Sequence, residues 1–409
     1  MTKFLYVLSI FSFFLSFHVK ADVWEVRNQW NSEWENVFSS WVVKEWDEGI
    51  FIRDESPYQG IKTDCADATM GMRAVFSFEN GLPFSYRDPS QHGRSINNRI
   101  KRWDHLAPIQ RFKKFMALVS RTVSTRSLPE SSLPVAMNPN SFRPGIFFVK
   151  PNDHSYQIKD ISDFGIPITM SSTVPYMVRY FDRYEAFPAY NIEDVKTYRD
   201  GYRRFLLESE LYAPKPQLPG YSLEQFQISQ DQDFDQHFTN SVYRERISGG
   251  VREPLPDRVN RMMINICNAS RNRVDYVAAA LKAQSKLVVQ GRQCMNAAEY
   301  DNYSTNSRDR RFANYFHQLH QLVQTSAFKK MKKTPIMRYA KHLYSGNHSA
   351  VTEGEFLEWC SVKYVSGRRI SVRQIWNQIL EGNIVSNPNA SAVQRWGLGA
   401  PFRTSCPVY

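Results

Sequence analysis

Two side chains in this sequence are placed to do nucleophilic chemistry together. Cys65 follows Thr63-Asp64, either of which can cap a helix, and opens the run Ala66-Asp67-Ala68-Thr69-Met70-Gly71-Met72-Arg73, which reads as that helix. A sulfur at a helix N-terminus sits at the positive end of the helix dipole, which favours the thiolate, the nucleophilic form. His154 opens the alternating run Ser155-Tyr156-Gln157-Ile158, which reads as a strand. An imidazole beside a thiolate forms an ion pair near neutral pH and then hands its proton to a leaving amine as the sulfur attacks a carbonyl. A third polar group on the next strand would orient the ring. Asp64 and Asp67 flank the thiol and act the other way, since nearby carboxylates raise its pKa.

Other chemistry is poorly supported. His317 and His320 share one helix face, but no acidic residue at helical spacing completes a metal site, so they read as a packed or solvated pair. Asp231, Asp233 and Asp235 start like a calcium loop, yet Gln236 stands where its glycine belongs and Val242 where its bidentate glutamate belongs. There is no phosphate-binding glycine loop and no Gly-x-Ser-x-Gly elbow. Neither a metal nor an organic cofactor is implied.

The elements that must position Cys65 and His154 follow from periodicity. Residues 24–46 carry Trp30, Trp34, Val37, Phe38, Trp41 and Val42 at spacings of three and four, an amphipathic helix whose tryptophans read as core. The helix opened by Cys65 runs to Glu79 and stops at Asn80-Gly81. Residues 85–143 are irregular apart from a helix near Ile109 to Val123. Three strands follow, at Gly145 to Val149, His154 to Ile158 and Ile166 to Ser172, joined by turns at Pro151-Asn152-Asp153 and around Asp163 to Gly165. The proline-rich stretch from Tyr212 to Gly220 is a boundary or a strap across the surface. Beyond it, residues 257–290, 308–342 and Val372 to Leu380 are helical, and the polar loop Tyr300 to Asp309 reads as a turn between helices.

The sequence Asp64-Cys65-Ala66-Asp67, then Gly145-Ile146-Phe147-Phe148-Val149, then His154-Ser155-Tyr156-Gln157-Ile158, resembles the NlpC-type cell-wall peptidases of the papain-like superfamily. Those proteins carry Asp-Cys-Ser-Gly, Gly-Asp-Leu-x-Phe-Phe and His-Val-Gly-Ile-Tyr. The resemblance covers roughly residues 55–175. Here Ala66-Asp67 replaces Ser-Gly, Ile146 replaces an acid, and residues 85–143 form an insertion. The chain is also similar to transglutaminase-like proteins in Cys65-Ala66-Asp67-Ala68 and in the turn Gly81-Leu82-Pro83-Phe84. The resemblance implies Cys65 as nucleophile and His154 as general base and acid. It places the third polar residue at Thr169, Ser171 or Ser172, with Ser171 preferred as a hydroxyl orienter and Asp163 as a substitute if its turn folds back. It also implies that Gln59, six residues before the cysteine, donates to the oxyanion hole. The substrate it suggests is a peptide or isopeptide bond of peptidoglycan.

Composition sets the frame. The chain has 409 residues, 42% of them hydrophobic and 22% charged, so it is globular rather than disordered. Lys3, the apolar run Phe4 to Phe17 and Val19-Lys20-Ala21 read as a signal peptide cleaved near Ala21, and nothing later is long and apolar enough to span a membrane. A periplasmic or secreted protein is expected. Of the formal net charge of +12, Lys3 and Lys20 belong to that leader. A basic exported protein suits a polyanionic envelope, and no basic-aromatic motif points to nucleic acid. The basic residues are scattered, with local runs at Arg308-Asp309-Arg310-Arg311 and Lys329 to Lys333. Five cysteines leave one thiol over; proximity favours Cys267–Cys294 and Cys360–Cys406, with Cys65 free.

The expected fold class is α+β: a papain-like domain, with its nucleophile helix packed on a small antiparallel sheet, in residues 22–211. A linker at 212–220 and a mainly helical region at 221–409 follow. The expected function is an exported cysteine hydrolase of the cell wall; the alternative is a catalytically silent protein of the same fold that binds wall polymer.

Overall fold

The computed structural model describes residues 21–88, 94–172, 181–184, 197–228, 238–331, 334–345, 354, 357–365 and 367–409. The expected signal segment and the Asp231-Asp233-Asp235 stretch lie outside them. The fold is α+β.

Helix α1 (Ser32–Glu45) starts at Asn31, whose side chain accepts from the Trp34 N–H, and it buries Phe38 and Val42. Helix α2 (Cys65–Glu79) is buried from Ala66 to Ser77. It ends because Gly81 takes φ +58°, and a Cβ there would sit 3.1 Å from Arg27 and 3.3 Å from the Glu25 carbonyl. The insertion supplies a short hairpin, β1 (Ser85–Arg87) with β2 (Ser95–Asn97), and helix α3 (Pro108–Thr122), whose Phe112, Phe115, Met116 and Val119 pack in the same core as α2. Trp30, Trp34 and Trp41 pack on that core as well.

The sheet is larger than the three expected strands. It joins β3 (Ser132–Pro134), β4 (Phe147–Lys150), β5 (His154–Ile161), β6 (Pro167–Ser172), β7 (Phe181–Tyr184) and β8 (Gly201–Phe205). The order is β3-β8-β4-β5-β6-β7, and every pairing is antiparallel. Alternation gives it two apolar faces. Phe147, Val149, Met170 and Phe205 join the α1–α2–α3 core. Phe148, Tyr156, Ile158 and Tyr202 join a second core with the C-terminal helices.

Those helices begin after the strap. Helix α4 (Glu224–Ile228) and a π-helical segment Phe238–Ile247 lie against the sheet; the β5–β6 turn sits so close to the latter that a Cβ on Gly165 would fall 2.0 Å from the Tyr243 carbonyl oxygen. The 35-residue α5 (Leu255–Val289) is the spine. Around it come α6 (Ala297–Tyr303), α7 (Asn306–Gln324), α8 (Ser326–Lys329) and α9 (Pro335–Tyr344). The hairpin β9 (Ser361–Val365) and β10 (Arg368–Ser371), α10 (Val372–Leu380) and α11 (Ala392–Arg395) complete the chain. His317 and His320 both pack against Trp376, with ring centroids 5.1 and 5.4 Å away.

The disulfides are Cys267–Cys360 and Cys294–Cys406, not the pairs that proximity favours. The reason is helix rise. Cys267 lies inside α5 and Cys294 beyond its end, so about 30 Å of helix separates them, while a disulfide needs its Cα atoms within about 7 Å. Cys65 is the free thiol, as expected. No helix among the described residues is long and apolar enough to cross a membrane.

Candidate active site

Cys65 is the first residue of α2. The Asp64 carboxylate accepts from the Asp67 N–H at 2.9 Å, and the Asp67 carboxylate accepts from the Asp64 N–H at 3.1 Å, a reciprocal cap that fixes the helix start. Hydroxyls pin this end to the sheet. Ser172 Oγ donates to the Thr63 carbonyl at 2.9 Å and lies 3.1 Å from Thr63 Oγ1. One turn on, Thr69 Oγ1 donates to the Cys65 carbonyl at 2.9 Å, lies 3.0 Å from Ser155 Oγ, and accepts from Gln157 Nε2 at 2.7 Å. Thus β5 and β6 clamp the helix through Ser155, Gln157 and Ser172.

The sulfur meets the sheet at Ser155, the residue after His154, whose backbone N–H and hydroxyl lie near enough to act on it. These favour the thiolate, but they are outweighed. Burial, then the Asp64 charge, then that of Asp67 push the thiol well above its ordinary range. Asp67 is itself raised, by burial and by Asp64 beside it.

His154 begins β5 opposite Lys150 and, two residues before Tyr156, is on the Tyr156 face of the strand rather than the Ser155 face that meets α2, with no hydrogen bond or electrostatic contact between its ring and the Cys65 sulfur. Its ring lies edge-on to Tyr156, 4.6 Å between centroids, and its buried Nε2 has no hydrogen-bond partner among the described residues. Burial pushes its pKa well below the usual histidine value, and Arg311 and Arg308 push it further. Both arginines come from α7, one turn apart. Arg311 also lies over the Tyr156 ring at 5.3 Å, and its charge interacts with Cys65 and Asp153. The helical region therefore contributes two cations to the surroundings of the histidine.

The expected resting ion pair is not what this electrostatics favours. Thiol and imidazole are both pushed towards neutrality, so sulfur attack would require proton transfer to the imidazole during the step rather than before it. The arginines oppose an imidazolium and favour an anion on the sulfur or on the attacked carbonyl oxygen.

Two assigned roles need correction. Gln59 is exposed in a surface turn, where its Nε2 donates to Asp54 at 2.6 Å and its carbonyl accepts from Lys113 at 2.8 Å. The compact turn from Arg53 to Gly60 carries its side chain outward, so it is no oxyanion donor in this structure. Ser171 is fully buried, but its Oγ makes no hydrogen bond among the described residues and does not hold the imidazole; Thr169 Oγ1 is in the same state. Alternation puts Ser172 on the α2 face and Ser171 on the face of Tyr156 and Ile158. Asp163 stays exposed at its turn.

Ser155, Thr69 and Gln157 were missed as the surroundings of the sulfur. The strand period contained the signal: if Tyr156 and Ile158 face one core, Ser155 and Gln157 face the nucleophile helix. Arg308 and Arg311 were visible only as a basic run.

Compared with family models, with curated proteins and with solved structures, the chain finds no match.

Proposed function

We propose that the chain is an exported papain-like thiol hydrolase that cleaves peptide or isopeptide bonds of the cell wall. The observation that carries this reading is that the one free cysteine begins a buried helix that β5 clamps at Ser155, the residue next to His154. With its ring turned from Tyr156 to the sulfur, His154 takes the thiol proton while Cys65 Sγ attacks the carbonyl carbon. The C–N bond breaks, and His154 returns the proton to the leaving amine. Water, deprotonated by His154, then hydrolyses the thioester and frees the sulfur. Two disulfides suit an oxidising compartment.

A second reading, a silent wall-binding protein of the same fold, draws support from the upward push on the thiol and from the absence, among the described residues, of an orienting bond at His154 Nε2. Purified wall digested with the wild type and with Cys65→Ala separates the two. New amino termini from the wild type alone support the hydrolase, while identical profiles end it. Iodoacetamide labelling followed by mass spectrometry gives a second test. A rate at Cys65 that climbs steadily from pH 6 to 9 and falls with His154→Ala fits general-base activation; indifference to His154 fits the silent protein.

A further inference from the structure

At the far end of the sheet, β3, β8 and the strap surround a cavity of about 370 Å³. Strand β8 lies two strands from β5, about 10 Å away, and no residue that touches the sulfur lines this cavity. Its chemistry is cationic. Arg203 is buried, and its guanidinium donates to Ser132 Oγ at 2.8 Å, to the Tyr198 carbonyl at 2.8 Å and to the Ser132 carbonyl at 3.1 Å. Its longer contacts also go to carbonyls. Such partners satisfy its donors without cancelling its charge.

Lys215 descends from the strap and donates to the Pro129 carbonyl at 2.5 Å, which leaves two ammonium hydrogens. Arg199 bonds Glu130 at 2.7 Å and the Arg126 carbonyl at 2.7 Å. Arg87 adds to the field at Lys215, and its buried Nε has no partner among the described residues. Glu130, shared with Arg199, and Asp200 are the carboxylates whose charges reach Arg203. Three cations, Arg199, Arg203 and Lys215, thus line the cavity with one carboxylate, Glu130. Burial and this crowding hold Arg203 down to about 9 and Lys215 to about 8.

The walls suit a ring. Tyr198 and Tyr221 line the cavity with prolines between them. Among the described residues Tyr198 is one of two non-glycine residues with a left-handed backbone, φ +55°, and it stays 38% exposed. Strain of that kind gathers at binding sites.

We propose that this cavity binds a small organic dianion, a phosphate monoester carried on a single ring, with the phosphate at Lys215 and the ring against the tyrosines. The excess of two positive charges selects a dianion over a carboxylate, and the volume suits a ligand of one ring. The site is independent of the thiol chemistry.

Calorimetry on the full chain with phenyl phosphate, benzoate and inorganic phosphate tests this. Phenyl phosphate is expected to bind, and each of the other two to bind at least about tenfold more weakly. Lys215→Gln is expected to lower phenyl phosphate affinity by about tenfold or more while leaving iodoacetamide labelling of Cys65 unchanged. In the wild type, phenyl phosphate is expected to slow trinitrophenylation of Lys215 by trinitrobenzene sulfonate, in which the amine displaces sulfite, read by mass spectrometry. No heat with phenyl phosphate in millimolar excess, equal binding of benzoate, or no protection of Lys215 would each overturn the proposal.

Discussion

Asp67 and Asp309 are buried to a similar degree, 5% and 8% exposed, and respond in opposite ways. Asp67 stands beside Asp64 at the start of α2 with no cation in contact among the described residues, and its pKa rises. Asp309, in the first turn of α7, meets the Arg273 guanidinium at 2.8 and 3.0 Å and accepts from Thr305 and Ser386 at 2.7 Å each. Burial works against its ionisation there too, but Arg273 and the hydroxyls win, and its pKa falls. Arg395 extends this network by bonding Thr305 at 2.8 Å, and Arg273 lies over Trp396 at 4.7 Å. Burial thus sets the stakes and the partner sets the sign. One carboxylate is used to lock α5, α7 and the C-terminal segment together; the other is left under tension beside a thiol.

The largest expected effect lies on the locked side. Asp309→Ala leaves Arg273 buried without its counter-charge and should cost about 3–5 kcal/mol in urea unfolding at neutral pH. A loss under about 1 kcal/mol would reduce the network to an ordinary surface pair. With a depressed pKa, the contribution of Asp309 is present above its unfolded value near ~3.9 and disappears as pH falls through the folded value. Asp67 runs the other way: with a raised pKa, its contribution is present below the unfolded value and is lost as pH rises through the folded one. Asp67→Asn should therefore add about 1 kcal/mol of stability at pH 8 and little at pH 5, and should quicken alkylation of Cys65 a few-fold. A variant that follows the wild-type pH profile would remove the tension ascribed to this site.

The sequence exposed the tense side better than the locked one. Helix α2 was legible to the residue because Asp64 caps it and Gly81 stops it, and the carboxylates beside Cys65 already warned of a raised thiol. Strands β4 to β6 showed in their alternation. Strand β8 did not, because Gly201-Tyr202-Arg203-Arg204-Phe205 looks like surface; Arg203 is buried because carbonyls of the preceding Tyr198 and of the remote Ser132 converge on it. The partners of Asp309 were invisible for the same reason, since Arg273 and Ser386 come from remote parts of the chain. The hairpin β9–β10 was readable from the Ser366-Gly367 turn signal and was passed over. Gln59 shows the opposite error: a matching offset was read without the turn that carries the residue away.

The smallest expected effect belongs to that residue. Gln59→Ala should change stability by less than about 0.5 kcal/mol and leave wall hydrolysis as it was. A rate drop of about a hundredfold would restore it as an oxyanion donor.

The sheet serves as a party wall between two rooms. Phe147 and Val149 furnish one side, Phe148 and Tyr156 the other, so neither half of the chain owns its own enclosure. A half cut free at the strap would carry a greasy, unroofed wall into solvent. Gene shuffling could not lift the thiol-bearing half onto a new companion unless the newcomer presented a matching apolar roof. Substitutions that tune one side must also be tolerated through the wall by the other, which ties the histories of the two halves together.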